Sequence, residues 1–225
     1  MSFTDSRTEQ TTAATDLVLA AVAVGCLLSL APNRSAGPWK VGLWSWAFAL
    51  LGLASALGAV VHGFQMPEET RRLLWLPLFL ALGLTVALFV VGAAHDLAGE
   101  RAARRLLPAM LVVGVAFFAL TQLAPRAFLL FVVYEAAAML LALVIYSRLA
   151  ARGLPGGWWM VAGIVLSIAA AAVQQAARGV TVTVVWPFDH NGLFHLVQMP
   201  GLLALAAGLR AALVAAAPSG VHPAE

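Results

Sequence analysis

Long apolar runs separated by short polar breaks dominate this sequence. Seven runs recur along the chain, and each reaches about 20 residues, the length with which an α-helix crosses a hydrocarbon core of roughly 30 Å. The breaks hold helix-ending residues, among them Pro32, Pro125 and the Gly- and Pro-rich segment 153–157. The pattern predicts an all-α integral membrane bundle of seven transmembrane helices in one domain, residues 1–225. The predicted spans are about 12–31, 39–63, 72–95, 104–123, 126–149, 157–178 and 189–215.

The composition excludes a soluble domain. Hydrophobic residues make up 62% of the chain and charged residues 10%, whereas soluble domains are about 45–50% apolar and about 25% charged. The mean hydropathy is +0.93. The single cysteine, Cys26, lies within the first apolar run, so neither a disulfide framework nor a paired-cysteine metal site is expected.

Basic residues are distributed unevenly between the two membrane faces. The formal net charge is +3 and the pI is about 9.8. The seven-span pattern places five Lys or Arg residues on the face of the N-terminus and eight on the opposite face. By the positive-inside rule, the N-terminus is expected outside and the C-terminus in the cytoplasm. The basic loops suit anionic lipid headgroups, so membrane lipids are the expected partners and nucleic acid is not; the pattern indicates no particular protein partner.

Nine polar side chains within the apolar runs lie toward one membrane face. Such groups are costly in hydrocarbon, so their presence predicts a functional or structural role. In an alternating bundle, odd spans begin and even spans end on the same face, whichever way the protein is inserted. The residues are Asp16, His62, Glu135, Gln174, Gln175, His190, Asn191, His195 and Gln198. The sequence therefore predicts one polar cluster near the face of the N-terminus.

Helical spacing indicates which of these side chains share a face. Asn191, His195 and Gln198 are spaced i, i+4, i+7 and form one stripe. His190 points about 140° away from His195 on an ideal helix, so both bind one metal only if the first turn unwinds; His190 or the preceding Asp189 is also a candidate helix cap. In the second span, Ser55 and His62 are spaced i, i+7 and share a face.

This set of side chains suits a metal centre, and two other interpretations stay open. Zinc takes three or four N, O or S ligands, and a catalytic site keeps one position for water. His62 and His195 with one of His190, Asp16 or Glu135 would supply such a set, with the neighbouring amides Gln174, Gln175 or Asn191 orienting the ligands. The same residues would also build a metal-free network that binds a polar headgroup or holds helices together. A haem held between His62 and His195 ranks third.

Five short motifs resemble an uncharacterised bacterial family of seven-helix membrane proteins. The motifs are Thr15-Asp16, His62-Gly63-Phe64, Tyr134-Glu135, Val173-Gln174-Gln175 and the stretch from Asp189 to Met199. The match spans nearly the whole chain and implies a location in the bacterial inner membrane. More remotely, a histidine closing span 2 and histidines opening span 7 look like the alkaline ceramidase and adiponectin-receptor superfamily of zinc-dependent lipid-amide hydrolases.

The remote resemblance also has points of departure. Where that superfamily carries a serine before the span-2 histidine, this chain has Gly58, and Ser55 lies nearly one turn earlier. Asn191 stands in place of the first histidine of the span-7 pair, with His190 beside it.

Together these patterns favour a metal-dependent membrane hydrolase that acts on a lipid amide or ester. Metal-bound water would be the nucleophile and Glu135 or Asp16 the general base, with His62, His190 and His195 on the metal. The supporting residues would be Ser55, Tyr134, Gln174, Gln175, Asn191 and Gln198. The alternative is a non-enzymatic protein, either a lipid-sensing module or an accessory subunit, whose polar cluster serves packing or ligand binding.

Overall fold

The computed structural model describes residues 2–123 and 127–217. Within these ranges, seven helices are long and apolar enough to cross a membrane, which confirms the predicted all-α seven-helix class and indicates an integral membrane protein. The helices are α1 (Arg7–Leu30), α2 (Pro38–Gly63), α3 (Glu68–Ala98), α4 (Glu100–Leu123), α5 (Ala127–Ala151), α6 (Gly157–Ala176) and α7 (His190–Ala216).

Several helices extend beyond the predicted spans into polar sequence. Helix α1 begins at Arg7, five residues before position 12, because the Ser6 side chain accepts a hydrogen bond from the backbone N–H of Glu9 and caps the helix. Helix α3 begins at Glu68, four residues before position 72. Helix α7, by contrast, begins at His190, one residue after the predicted start, because Asp189 caps it by accepting from two backbone N–H groups. Hydropathy identifies only the part of a helix that lies in hydrocarbon, so it does not detect capped polar turns at the interface.

Six of the helices form a closed ring, and the seventh lies outside it. Neighbours around the ring are α1–α2, α2–α3, α3–α5, α5–α6, α6–α7 and α7–α1. Helix α4 packs against α3 and α5 on the outer side, where these two helices already touch each other. The ring therefore encloses a space that side chains from every helix except α4 can reach.

Two short antiparallel ladders lie on the face of the N-terminus. Strand β1 (Ser2–Phe3) pairs with β2 (Phe64–Gln65) after α2, and β3 (Val182–Thr183) pairs with β4 (Pro187–Phe188) before α7. The Thr11 hydroxyl donates to the carbonyl oxygen of Pro187 at 2.6 Å and ties the second ladder to α1. These hydrogen bonds fix the ends of the loops around the opening of the ring at the face of the N-terminus, here called the mouth.

Helices α6 and α7 cross closely along two glycine pairs. A Cβ atom added at Gly208 would lie 2.8 Å from the carbonyl oxygen of Gly156, and one added at Gly163 would lie 2.8 Å from that of Gly201. Members of both pairs are seven residues apart on their helices, so they repeat on one face. In a membrane, where helices gain little from hydrophobic burial, this close backbone approach is a main source of helix association.

A buried ionic network joins helices at the opposite face. Lys40 Nζ lies 2.6 Å from Asp96 Oδ1, with the two side chains 8% and 6% exposed. The Tyr146 hydroxyl donates to the other oxygen of Asp96 at 2.9 Å, and His95 Nδ1 lies 3.2 Å from Oδ1. Each charged group has a partner, so the network links α2, α3 and α5 and serves packing.

Candidate functional site

A cavity of about 780 Å³ lies within the ring near the face of the N-terminus. Its size falls within the range of about 300–1,000 Å³ typical of small-molecule sites. All the described residues that line it belong to the six ring helices. Its polar residues are Asp16, Ser55, His62, Glu68, Arg72, Glu135, Gln174, His190, Asn191, His195 and Gln198. Most of the polar residues predicted from the sequence therefore reach one cavity, as span parity predicts.

Asp16 and His195 form a buried pair on one side of the cavity. Asp16 Oδ1 lies 3.2 Å from His195 Nε2, and the side chains are 7% and 9% exposed. The other ring nitrogen, Nδ1, lies 2.9 Å from the hydroxyl oxygen of Thr15. Helices α1 and α7 are thus linked by two successive residues of α1 that meet opposite edges of one imidazole.

The Thr15 hydroxyl lies between two partners. It is 2.9 Å from the carbonyl oxygen of Thr12, to which it donates, and 2.9 Å from His195 Nδ1. Its single hydrogen serves one of these contacts at a time, so the tautomer of His195 depends on which one it serves. With the hydrogen on Thr12, His195 Nδ1 donates to Thr15 and Nε2 accepts from a protonated Asp16. With the hydrogen on His195, Nε2 donates to the Asp16 carboxylate.

The absence of a side chain at Gly58 makes room for the Asp16 carboxylate. A Cβ atom at this position of α2 would lie 2.7 Å from Asp16 Oδ2 and 3.0 Å from Oδ1. The close approach of α2 holds the carboxylate on the side of His195. Ser55, nearly one turn earlier on α2, is buried and also lines the cavity.

His62 lies nearer the mouth of the ring than His195 does. It pairs with Glu9, which is not among the site residues predicted from the sequence. Its Nδ1 lies 2.6 Å from Glu9 Oε2, and the two side chains are 15% and 38% exposed. The edge of its ring meets Trp75 of α3, with centroids 6.2 Å apart. His62 therefore faces a carboxylate of α1, while His195 faces a different one.

Amide side chains of α6 and α7 complete this side of the cavity. Gln174 Nε2 donates to Asn191 Oδ1 at 2.9 Å, and Gln198 Nε2 donates to the Ser167 hydroxyl at 3.0 Å. The carbonyl oxygen of Gln198 is buried without a hydrogen-bond partner among the described residues. The Nε2 group of Gln175 is likewise buried and unpartnered, but Gln175 is not among the described residues that line the cavity.

Glu135 reaches the cavity from α5 without a partner. Its side chain is partly buried, and no hydrogen bond or ion pair joins it to any residue that the structure describes. The preceding Tyr134 lies on another face, where its hydroxyl donates to the carbonyl oxygen of Gly83 at 3.3 Å and its ring stacks on Phe117. Successive helical positions differ by about 100°, so only one residue of this pair faces the cavity.

The proposed metal ligands line one cavity but do not converge on one point. His62, His190, His195, Asp16 and Glu135 are all in the lining. Within residues 2–123 and 127–217, however, the His, Cys, Asp and Glu side chains form no group of three or more placed to hold a metal ion. Zinc binding stays a prediction, and it requires these side chains to move closer together.

Apolar residues of α3 and α5 form a continuous part of the lining. Helix α3 contributes Trp75, Leu78, Phe79 and Leu82, and α5 contributes Phe131; these five residues are the apolar wall. The same two helices also contribute Glu68, Arg72 and Glu135, and Leu19, Leu51, Ala54 and Phe194 line the cavity from α1, α2 and α7. The polar wall consists of Asp16, Gln174, Asn191, His195 and Gln198. A cavity with one polar and one apolar wall matches an amphipathic molecule better than a wholly polar one.

Comparison with known proteins places this chain in a family. A model described as "Family of unknown function (DUF6962)" matches residues 11–214. The chain belongs to the DUF6962 family. No curated protein and no solved structure matches the chain. The match includes most of α1 and α7 and all of the helices between them, and every described residue that lines the cavity lies within it.

Three residues important to the site of this DUF6962 protein were not predicted from the sequence. Glu9 has a local signal, because Ser6 and Glu9 have the spacing of a capping box and mark an earlier start of α1. Thr15 forms part of the Thr15-Asp16 motif, but its contact with His195 joins residues 180 positions apart. Gly58 contacts Asp16 across two helices, and no local pattern reveals such a contact.

Proposed function

We propose that this protein binds an amphipathic small molecule from the membrane in the cavity of the ring. The polar group would lie against the polar wall and Glu135, and the hydrocarbon part along the apolar wall. The observation that carries the proposal is the two-sided lining, in which Glu135 has no partner among the described residues. A ligand with a hydrogen-bond donor would give this carboxyl group the partner that it lacks.

The apolar wall supplies a driving force for such binding. Water in contact with Trp75, Phe79 and Phe131 forms no hydrogen bonds with these apolar side chains. An alkyl chain that replaces this water removes the apolar area of the side chains from contact with water. Each Å² so removed is worth about 25 cal/mol. A ligand that enters from the bilayer leaves lipid rather than water, so its specificity would come mainly from the polar wall.

A bulky residue at Ser55 is expected to exclude the ligand. Ser55 is buried and lines the cavity, so Ser55→Phe would fill part of its volume. Solvent extraction of purified wild-type protein, followed by mass spectrometry, should recover an amphiphile near one molecule per chain. Extraction of Ser55→Phe should recover little of it.

The matched control is Leu53→Phe, two residues earlier on α2 and 48% exposed at the outer surface of the bundle. It adds a similar side chain outside the cavity and should leave the amount of co-purified amphiphile unchanged. Equal loss in both variants, or no amphiphile at near-stoichiometric amount in the wild type, would argue against a ligand in this cavity.

A metal-dependent membrane hydrolase is the second candidate. One support is that all the proposed metal ligands line the same cavity: His62, His190, His195, Asp16 and Glu135. The other is the remote resemblance of the sequence to zinc-dependent lipid-amide hydrolases. Elemental analysis of wild type, His62→Ala and His195→Ala distinguishes the two candidates. About one zinc per chain, lost in both variants, would favour the hydrolase; metal-free wild type that still retains an amphiphile would favour simple binding.

We propose further that the cavity opens on the outer side of a bacterial inner membrane. The face of the N-terminus carries five of the chain's Lys and Arg residues and the opposite face carries eight, which favours a cytoplasmic position for the latter. The ligand would then enter from the outer leaflet.

A further inference from the structure

We infer that the amphiphile bound in this cavity carries a protonated amine as its polar group, and that Glu135 pairs with it. This inference rests on the proposed function, because it specifies the chemical class of the amphipathic ligand. It follows from the balance of charges around the cavity, from the unused hydrogen-bond acceptors in its walls and from the aromatic residues beside Glu135.

The charge balance leaves Glu135 as the carboxyl group that needs a cation. Among the described carboxylates at or near the cavity, three have a basic neighbour: Asp16 Oδ1 is 3.2 Å from His195 Nε2, Glu9 Oε2 is 2.6 Å from His62 Nδ1, and Glu68 Oε2 is 3.9 Å from Arg71 Nε. A fourth, Asp189, accepts hydrogen bonds from the Thr12 hydroxyl and from two backbone N–H groups at the start of α7. Glu135 has neither a basic neighbour nor a hydrogen bond among the described residues. A positive charge on the ligand would give Glu135 the partner that it lacks.

The hydrogen-bond inventory points to a ligand that donates. The carbonyl oxygen of Gln198 has no partner among the described residues, although the side chain lines the cavity and is only 8% exposed. Gln198 Nε2 and Gln174 Nε2 each donate one hydrogen bond, to Ser167 and Asn191. An ammonium group has three N–H donors and accepts no hydrogen bond, so it can donate to the Glu135 carboxylate and, after a rotation of the Gln198 side chain, to its carbonyl oxygen.

Aromatic rings in the lining that contains Glu135 also favour a cation. Phe131 lies four residues before Glu135, on the same face of α5, and both line the cavity. Trp75 and Phe79 of α3 belong to the same wall. Ring faces attract a desolvated ammonium group, and this attraction adds to that of the carboxylate.

An anionic headgroup finds weaker support in the lining. Arg72 is the only Lys or Arg among the described lining residues, and it is exposed at the start of α3. Ion pairs at exposed positions contribute little because water screens them. His62 and His195 already face Glu9 and Asp16. An anionic headgroup placed beside Glu135 would be repelled by the Glu135 carboxylate.

The test compares three probes that share one alkyl chain and differ in the polar group: dodecylamine, dodecanol and dodecanoic acid. Each is titrated into the detergent-purified protein, and the melting temperature is followed. Dodecylamine is expected to raise the melting temperature of wild type at concentrations where the other two do not. Glu135→Gln should weaken the apparent amine affinity by about tenfold or more, the size of one lost charge pair. Glu135→Asp, which keeps the charge, should retain part of the affinity.

The matched control is Glu100→Gln at the start of α4, which removes an acid at the opposite face that pairs with Arg104 at 2.7 Å. It should bind the amine as wild type does. Equal response of wild type and Glu135→Gln to dodecylamine would overturn the inference. Preference for dodecanol or dodecanoic acid, abolished by Ser55→Phe, would also overturn it while leaving the proposed function intact. Failure of all three probes, together with no amphiphile extracted from wild type, would overturn both.

Discussion

Replacing His195 by Leu is expected to lower the free energy of unfolding by about 3 kcal/mol, the upper end of the usual cost of leaving a buried polar group without its hydrogen-bond partner. The Asp16 side chain is 7% exposed and lies against Gly58, and Leu offers it no hydrogen bond. The Thr15 hydroxyl loses its contact with the imidazole as well. Reversible unfolding of the detergent-solubilised protein in SDS measures the loss.

A second substitution tests whether this loss comes from the unpartnered carboxyl group of Asp16. Asp16→Leu replaces that group by apolar atoms with similar branching, so the double variant Asp16→Leu/His195→Leu should regain about half of the lost stability or more. A double variant no more stable than His195→Leu would show that the two side chains do not act as a pair.

Replacing Gly208 by Leu is expected to destabilise the bundle by at least about 3 kcal/mol, the upper end of the usual cost of overpacking. A Cβ atom at this position would lie 2.8 Å from the carbonyl oxygen of Gly156 and 3.0 Å from the backbone nitrogen of Met160. These are main-chain atoms of α6 and of the residue that precedes it, so no change of rotamer can relieve the contact and the helices must separate. The melting temperature of the purified variant, if it accumulates, gives the size of the effect.

Gly25 supplies the matched control for this substitution. It lies in the interior of α1, and a Cβ atom there would have no atom within 4 Å among those the structure describes. Gly25→Leu should therefore change stability little, since the new side chain extends into open space. Similar destabilisation at both glycines would mean that the close crossing of α6 and α7 is not the cause.

Most of the fold could be predicted from the sequence because each helix must satisfy its own backbone in hydrocarbon. Apolar length alone then counts the helices. The ring order and the outer position of α4 could not be predicted, because they depend on which faces pack. The glycines at positions 163 and 201 show the difficulty: their spacing permits close crossing, but nothing local shows that they meet each other.

The candidate site divides in the same way. Span parity placed Asp16, His62, Glu135 and His195 near one face, and the structure brings all four to one cavity. Their partners could not be predicted, because each pair joins residues from different helices. Glu9 in particular lay outside the predicted first span. The roles proposed for these residues in metal binding and catalysis remain predictions.

Tyr134 illustrates a limit of reading motifs. It stands beside Glu135 in the Tyr134-Glu135 motif and was expected to support the same site, yet it packs against Phe117 on another face of α5. Adjacent residues in a helix point about 100° apart, so a two-residue motif need not belong to one site. Gln175 differs from Gln174 for the same reason.

The most direct test of amphiphile binding is a crystal structure of the protein grown with dodecylamine. Binding in the cavity predicts continuous density for the alkyl chain along Trp75 and Phe79, with the amine within hydrogen-bond distance of the Glu135 carboxylate. A cavity that holds only separate water peaks, with the amine confined to the lipid-facing surface, would contradict the account.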